Sequence, residues 1–228
     1  IRDVAPSRGL GDVYKRQGVR RYYIDRYFEK KEYDRVLQVL DESIELDKAY
    51  RGQVLEYIQK KKEIYRLQGN KSAYIEQLWK LVLEQSAGDL DIYKELKAQY
   101  SEKEWLIKRE ELFKKLPPNA HIDRLYKEEK LYDRLLAYVL KSSGLYAVQS
   151  YENVLKKEYP KQILSKYQGE VNKMASCTGN RKHYADLVAL LRRMKRIKGG
   201  SEIVETIVEE WKIKYRNRPA MMDELSKL

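Results

Sequence analysis

Cys177 and His183 are the residues whose types and spacing come nearest to a metal site in this chain. They lie on either side of a predicted turn at Gly179-Asn180, and a thiolate and an imidazole are both zinc ligands. A structural zinc site takes four such ligands, whereas the only other histidine or cysteine is His121. We therefore predict no metal and no cofactor in this chain, with Cys177 a small buried thiol and His183 a surface side chain.

Catalytic patterns are equally sparse. The sequence has no phosphate-binding loop, zinc-protease helix, nucleophile elbow or dinucleotide fingerprint. Adjacent acids occur at Glu128-Glu129 and Glu209-Glu210, but both pairs lie in charged stretches with helical spacing, and nothing places them in a pocket that would separate their pKa values. We predict that the chain is not an enzyme; an active site would have to lie in a part of a longer protein outside this sequence.

Charge is the most prominent feature, with 47 Lys and Arg against 35 Asp and Glu and a net charge of +12. A basic surface over residues 181–218 has the charge needed to contact phosphates. The same cations, at the C-terminus of a helix, also stabilise its dipole and keep its outer face solvated, so both interpretations stay open. The candidate nucleic-acid contacts are Arg181, Lys182, Arg192, Arg193, Lys195, Arg196 and Lys198, followed by Lys212, Lys214, Arg216 and Arg218.

The elements that position these residues are predicted to be helices throughout. Apolar residues recur at intervals of three and four, as in amphipathic helices, and no stretch alternates as a strand would. Glycine-containing pairs such as Gly69-Asn70 mark helix ends, and Ser101 with Glu104 forms a capping box. We expect about twelve helices, with stripes that include Val36, Leu37, Leu40 and Ile44; Leu131, Leu135, Leu136 and Val139; Tyr184, Leu187, Val188 and Leu191; and Ile203, Val204, Ile207 and Trp211.

Two segments of the chain resemble one another. Tyr33-Asp34-Arg35-Val36-Leu37 matches Tyr132-Asp133-Arg134-Leu135-Leu136, and helical hairpins that recur in this way bury their faces by stacking. We predict an all-α, irregular TPR-like helical-hairpin solenoid, with a non-repetitive helical bundle as the alternative. Within the domain of residues 18–228, Pro117-Pro118 marks a sub-boundary near 117–119.

Residues 1–17, IRDVAPSRGLGDVYKRQ, have no apolar period. Their end resembles a translated sequencing-adapter string found at the termini of proteins predicted from short-read assemblies. We expect this segment to be a non-native scar and disordered, the alternative being an ordinary flexible N-terminus. If it is a scar, the chain is the C-terminal part of a longer protein.

The C-terminal region carries a family resemblance. The segment His183-Tyr184-Ala185-Asp186-Leu187-Val188 leads, after Trp211, into Arg216-Asn217-Arg218-Pro219-Ala220-Met221-Met222-Asp223-Glu224-Leu225. This resembles the helical end of bacterial SWIM zinc-finger proteins. The C-x-C and C-x-H zinc ligands of that family are absent here, so the resemblance implies zinc only for an upstream part.

The resemblance implies a binding function. Our first hypothesis is a non-catalytic interaction module, the helical tail of a SWIM-type protein, that binds a protein partner or the rest of its parent chain. The alternative is a nucleic-acid-binding helical module that uses residues 181–218. A single cysteine fits a reducing, cytoplasmic location, and no apolar run is long enough for a membrane span.

Overall fold

The computed structural model describes residues 17–228, and over that range the chain is all-α, as predicted. It contains thirteen α-helices, one more than the predicted dozen, and no strand among the described residues. The expected disorder of residues 1–17 falls outside the described part except for Gln17, which begins the first helix. None of the described helices is both long enough and apolar enough to cross a bilayer.

The described residues separate into two compact units, one ending at Leu125 and the other running from Tyr126 to Leu228. The division lies a few residues beyond the Pro117-Pro118 pair and within a short helix. The first unit contains α1 (Gln17–Glu29), α2 (Tyr33–Leu46), α3 (Arg51–Leu67), α4 (Lys71–Lys80) with a π-helical extension (Leu81–Gln85), α5 (Leu90–Lys97) and α6 (Glu102–Lys115). Then α7 (Ile122–Glu128) crosses the division.

Helices α4, α5 and α6 of the first unit begin at capping residues, and glycines lie in the turns before α4 and α5, as the sequence predicted. Gly69 and Gly88 have positive φ angles of 68° and 75°, the left-handed conformation that glycine adopts without a Cβ clash. The next residue caps the following helix in both turns: the Asn70 side chain accepts from the Ala73 amide, and Asp89 accepts from two amides. The Ser101 capping box is also present.

Sequential neighbours pack on one another in the first unit, α1 on α2, α2 on α3, α3 on α4 and α4 on α5. This is the packing of consecutive helical hairpins. Its apolar interior includes Tyr93 and Trp105, whose ring centroids lie 5.1 Å apart with the rings edge to face. Such aromatic pairs add about 0.5–1.5 kcal/mol to the burial of the rings.

The second unit continues the hairpin arrangement around one apolar cluster. Its helices are α8 (Tyr132–Lys141), α9 (Tyr146–Leu155), α10 (Pro160–Ser176), α11 (Arg181–Lys195), α12 (Gly200–Lys214) and α13 (Pro219–Leu225). The predicted stripe of α11 faces this core, because Tyr184, Leu187, Val188 and Leu191 are all buried. Pro219 opens α13, as expected for a residue that has no amide proton to leave unpaired.

The two segments that resemble one another also share a turn geometry. Lys31 and Lys130, each two residues before the Tyr-Asp-Arg triplet, have positive φ angles of 59° and 55°. Just after each, the amide of Glu32 or Leu131 donates to a tyrosine carbonyl five residues earlier at 2.9 Å. Left-handed backbone is unusual at a lysine, so the sequence match extends to the conformation of the α1–α2 and α7–α8 turns.

Candidate functional site

Arg193, one of the predicted nucleic-acid contacts, is engaged inside the second unit. Its Nε donates to Glu152 on α9, and its Nη2 donates to the Gln149 carbonyl at 3.0 Å. Glu152 is 4% exposed and also accepts from the Tyr167 hydroxyl at 2.7 Å. Arg193 therefore neutralises a buried carboxylate and ties α11 to α9, a structural role that the charge pattern did not reveal.

The pKa values of this network reflect competing effects. Burial alone would raise the pKa of Glu152, but the hydrogen bonds from Tyr167 and Arg193 outweigh it and hold the pKa below its ordinary value. Burial, reinforced by the negative charge of Glu152, strongly raises the pKa of Tyr167. The carboxylate is thus ionised and the phenol neutral at physiological pH.

Two other candidate arginines also contact the protein. Arg192 donates to the Lys227 carbonyl, and Arg181 pairs with Asp223 at 2.8 Å and with Glu224 at 3.6 Å. Both contacts join α11 to the C-terminal helix α13 or the residues after it. Arg218, from the secondary set, donates to three consecutive carbonyls at the end of α10, those of Ala175, Ser176 and Cys177.

The remaining four candidates, Lys182, Lys195, Arg196 and Lys198, have no side-chain hydrogen bond or ion pair with any described residue. They do not form one patch. Lys182 lies in the first turn of α11, and Lys195 lies in its last turn, about 20 Å away at 1.5 Å per residue. The structure therefore divides the predicted surface between the two ends of a helix.

Three lysines far away in the sequence lie on elements that adjoin the C-terminal end of α11. Lys156 lies 3.5 Å from Glu152, which also binds Arg193, so the ends of α9 and α11 adjoin. The start of α12 adjoins the first turns of α10, because a Cβ on Gly200 would lie 3.3 Å from Leu164. We call the cations on these adjoining elements the basic end; they are Lys156, Lys157, Lys161, Lys195, Arg196 and Lys198, with Glu158 and Glu202 on the same elements, and Lys195 also lines a cavity with Glu205 and Glu209.

The basic end belongs to the more cationic unit, since Tyr126–Leu228 contains 21 Lys and Arg against 13 Asp and Glu. Sequence reasoning missed Lys156, Lys157 and Lys161 because they precede the predicted surface by twenty residues or more. Their only sequence signal was a weak one, three lysines around the α9–α10 turn. Helix packing, rather than spacing along the chain, brings them to α11.

A second feature is an open groove along α3 in the first unit. Gln59, Lys62, Glu63 and Arg66 follow one face of the helix and line a cavity of about 370 Å³ together with Glu95 of α5. Arg66 also lines an adjoining cavity of about 260 Å³ with Tyr65, Gly69, Lys71, Tyr74 and Gln99. The two cavities meet at Arg66, and we call them together the α3 groove.

The charges in the α3 groove are unevenly matched. Glu95 accepts from Lys62 Nζ at 2.7 Å and from the Tyr74 hydroxyl. Burial would raise the pKa of Glu95, but these two bonds, with the positive charges of Lys62 and Arg66, lower it overall. Burial and Glu95 together raise the pKa of Tyr74 to about 12. Lys62 thus already compensates Glu95, and Arg66 is an additional positive charge.

Arg66 and Lys71 are the unmatched cations of the groove. Both side chains are exposed, and neither makes a hydrogen bond or an ion pair within residues 17–228. The nearby carboxylate of Glu104 is occupied, since it accepts from the backbone amide and the hydroxyl of Ser101 at 2.9 and 2.6 Å. Sequence reasoning did not single out either residue, because each is one cation in a mixed-charge helical stretch.

Cys177 and His183 do not form a metal site in the described structure. His183 Nε2 lies 3.0 Å from the Met174 carbonyl, and no group of three His, Cys, Asp or Glu residues able to hold a metal occurs in the described part of the chain. Cys177 is exposed, so the prediction that it is buried is wrong. It is the C-cap of α10, where the backbone leaves the helix in an extended conformation.

Comparison with known proteins assigns neither a family nor a function to this chain. No protein-family model, no curated protein and no solved structure matches this chain.

Proposed function

We propose that this chain is a non-catalytic interaction module that binds a protein partner. The observation that carries the proposal is the α3 groove, an open channel whose side chains include polar groups with no partner in the described chain. Stacked helices are well suited to present such a surface, because each buries one face against its neighbours and leaves the other available. The shared turn geometry at Lys31 and Lys130 supports the TPR-like solenoid as part of the same proposal.

We also propose that the chain belongs to the SWIM zinc-finger family. The similarity of residues 183–225 to the helical end of SWIM zinc-finger proteins supports a role as an interaction tail in a longer protein, with the groove available to a partner or to the rest of that protein. A reading frame upstream that encodes C-x-C followed by C-x-H would support this assignment. An upstream reading frame that encodes an unrelated domain would contradict the family assignment.

A selection experiment tests the partner-binding proposal directly. A phage-displayed library of random peptides is panned against the full chain, and the enriched peptides are measured against the wild type and Arg66→Glu. We expect the enriched peptides to compete with one another for the wild type. Their affinity for Arg66→Glu should be at least tenfold lower than for the wild type. No enrichment, or binding that Arg66→Glu leaves unchanged, would refute the groove as the partner site.

Nucleic-acid binding is the second candidate, and the basic end is the observation that favours it. Cations at the C-termini of α9 and α11 are accounted for by the helix dipoles. Lys161 is different, because it lies in the first turn of α10, where the dipole disfavours a cation. An external polyanion would compensate that charge together with those of Arg196 and Lys198.

The salt dependence of binding to a mixed-sequence duplex distinguishes this candidate from the first. Each phosphate contact contributes about −0.9 to the slope of log K against log salt, so neutralising four contacts should flatten the slope by about 2–4 units. The variant changes Lys157, Lys161, Arg196 and Lys198 to Gln. The matched control changes four exposed lysines of the first unit to Gln: Lys30, Lys48, Lys103 and Lys114. Equal slopes for both variants, or no binding near 50 mM salt, would exclude the basic end.

A further inference from the structure

We propose that the α3 groove recognises an acidic peptide segment, whose carboxylates bind Arg66 and Lys71. This inference rests on the proposed partner-binding function and specifies the chemistry of the partner. It starts from a difference within one groove: Glu95 already accepts hydrogen bonds from Lys62 and Tyr74, whereas the side chains of Arg66 and Lys71 make no hydrogen bond or ion pair in the described chain and act on Glu95 and Glu104 only through their charge. The groove therefore has positive charge in excess at the point where its two cavities meet.

The free cations differ in a way that suits carboxylates. Arg66 presents a planar guanidinium that can donate two parallel hydrogen bonds to one carboxylate, and Lys71 presents a compact charge. Tyr65 lines the same cavity as Arg66 and Lys71, and a phenol can donate a hydrogen bond to a carboxylate. The groove thus offers three donors of different geometry within one short stretch of the chain.

The dimensions set the length of the segment. From Gln59 to Arg66 the helix rises about 10 Å, and an extended peptide covers about 3.3 Å per residue. Roughly three to four residues therefore follow the α3 face before the segment reaches Lys71. A partner whose two acids follow that stretch would place one carboxylate near Arg66 and the other near Lys71.

Nucleic acid fits this groove less well than it fits the basic end. Glu63 and Glu95 line the channel, and their negative charges repel a continuous row of phosphates. A peptide with acids at one end and uncharged residues at the other avoids that repulsion. The lining amide of Gln59 is able to bond to the backbone of an uncharged stretch, whereas that of Gln99 already donates to the Glu95 carbonyl at 3.2 Å.

The test uses NMR titration, which detects binding at millimolar dissociation constants. A panel of eight-residue Gly-Ser peptides containing two Glu residues one, two or three positions apart is added to the full ¹⁵N-labelled chain. The same peptides with Gln in place of Glu are the matched ligand control. We expect the amide signals of Arg66, Gly69 and Lys71 to shift and saturate with at least one Glu peptide, and the Gln counterpart to bind at least tenfold more weakly.

Two protein variants with equal charge change complete the test. The double variant Arg66→Gln with Lys71→Gln should bind the Glu peptide about tenfold more weakly or worse, which is the scale of a lost charge-assisted hydrogen bond. The double variant Lys48→Gln with Lys114→Gln, at exposed sites outside the groove, should change the affinity for the Glu peptide less than threefold. Because these four positions are exposed, the variants are expected to keep the wild-type far-UV spectrum.

The outcomes separate this inference from the function on which it rests. If Gln and Glu peptides saturate the groove equally, or if both variants behave alike, the carboxylate inference is wrong and the groove remains a partner site. If no Glu peptide shifts the groove signals, the inference is also overturned, and the phage selection decides the partner-binding proposal by itself. A single-stranded oligonucleotide that shifts these signals more strongly than any peptide would replace the acidic segment with nucleic acid.

Discussion

Tyr167 is the residue at which the structure makes its sharpest energetic prediction. Its ring is fully buried, and its hydroxyl donates to the Glu152 carboxylate at 2.7 Å. Tyr167→Phe keeps the ring in place and removes only the hydroxyl, so the apolar burial is unchanged. A hydrogen bond to a charged group contributes about 1.5–3 kcal/mol. We therefore expect the free energy of unfolding to fall by about 1.5–3 kcal/mol at neutral pH.

The pH dependence of that loss tests the reasoning more strictly than its size. The pKa of Glu152 is lowered in the folded state, so the stability it contributes is present above its unfolded pKa of about 4.3 and is lost as the pH falls through the folded value. The pKa of Tyr167 is raised, so its contribution is present below about pH 10 and is lost as the pH rises further. The difference between the wild type and Tyr167→Phe should be constant from pH 6 to 9 and shrink on both sides.

Urea unfolding followed by far-UV circular dichroism at several pH values measures this difference. The matched control is Tyr146→Phe, because Tyr146 is 83% exposed and its change should stay within about 0.5 kcal/mol. A loss at Tyr167 no larger than at Tyr146 would show that the hydrogen bond contributes nothing. A loss that is the same at pH 3, 7 and 11 would show that the ionised carboxylate and the neutral phenol are not what stabilises the contact.

Three further expectations concern stability. Leu136→Ala and Leu187→Ala should each cost about 2–5 kcal/mol in chemical unfolding, because both side chains are buried; a cost below about half a kcal/mol at both would mean that they are not in the core. Arg193→Gln should destabilise the chain by several degrees in thermal melting, since it leaves the buried Glu152 carboxylate with only the more distant Lys156 as a cation, whereas Arg196→Gln should leave the midpoint unchanged; equal midpoints would contradict the structural role. Gly200→Ala should cost about 1–3 kcal/mol by overpacking, because its Cβ would lie 1.9 Å from a carbonyl in the last turn of α11; wild-type stability would show that this approach is relaxed in solution.

Helix formation and helix ends were predictable because their causes are local. Capping at Asn70 and Ser101 depends on residues three positions apart, and the turn at Gly69 depends on one residue that tolerates a positive φ. The buried faces follow from the 3.6-residue period, which places Leu187 inside without any knowledge of its neighbours. The exposed Cys177 escaped prediction because its exposure depends on where the chain turns after α10.

The candidate site was predictable only in part, and the reason is the range of the interactions. A run of cations in the sequence shows where charge is, but whether a charge is free depends on partners that are distant in the chain. Arg193 meets Glu152 across 41 residues, and Arg181 meets Asp223 across a similar separation. Conversely, Arg66 lacks a partner because Glu95 is already bound to Lys62 and Tyr74.

The sequence by itself therefore determined the helices, their caps and their apolar faces, since these depend on steric and hydrogen-bonding preferences within a few residues. Only the tertiary structure decided which cations stabilise the fold and which remain available to a partner. Helix packing brings a carboxylate from one helix to an arginine of another, and electrostatic compensation at such short range removes that arginine from the binding surface.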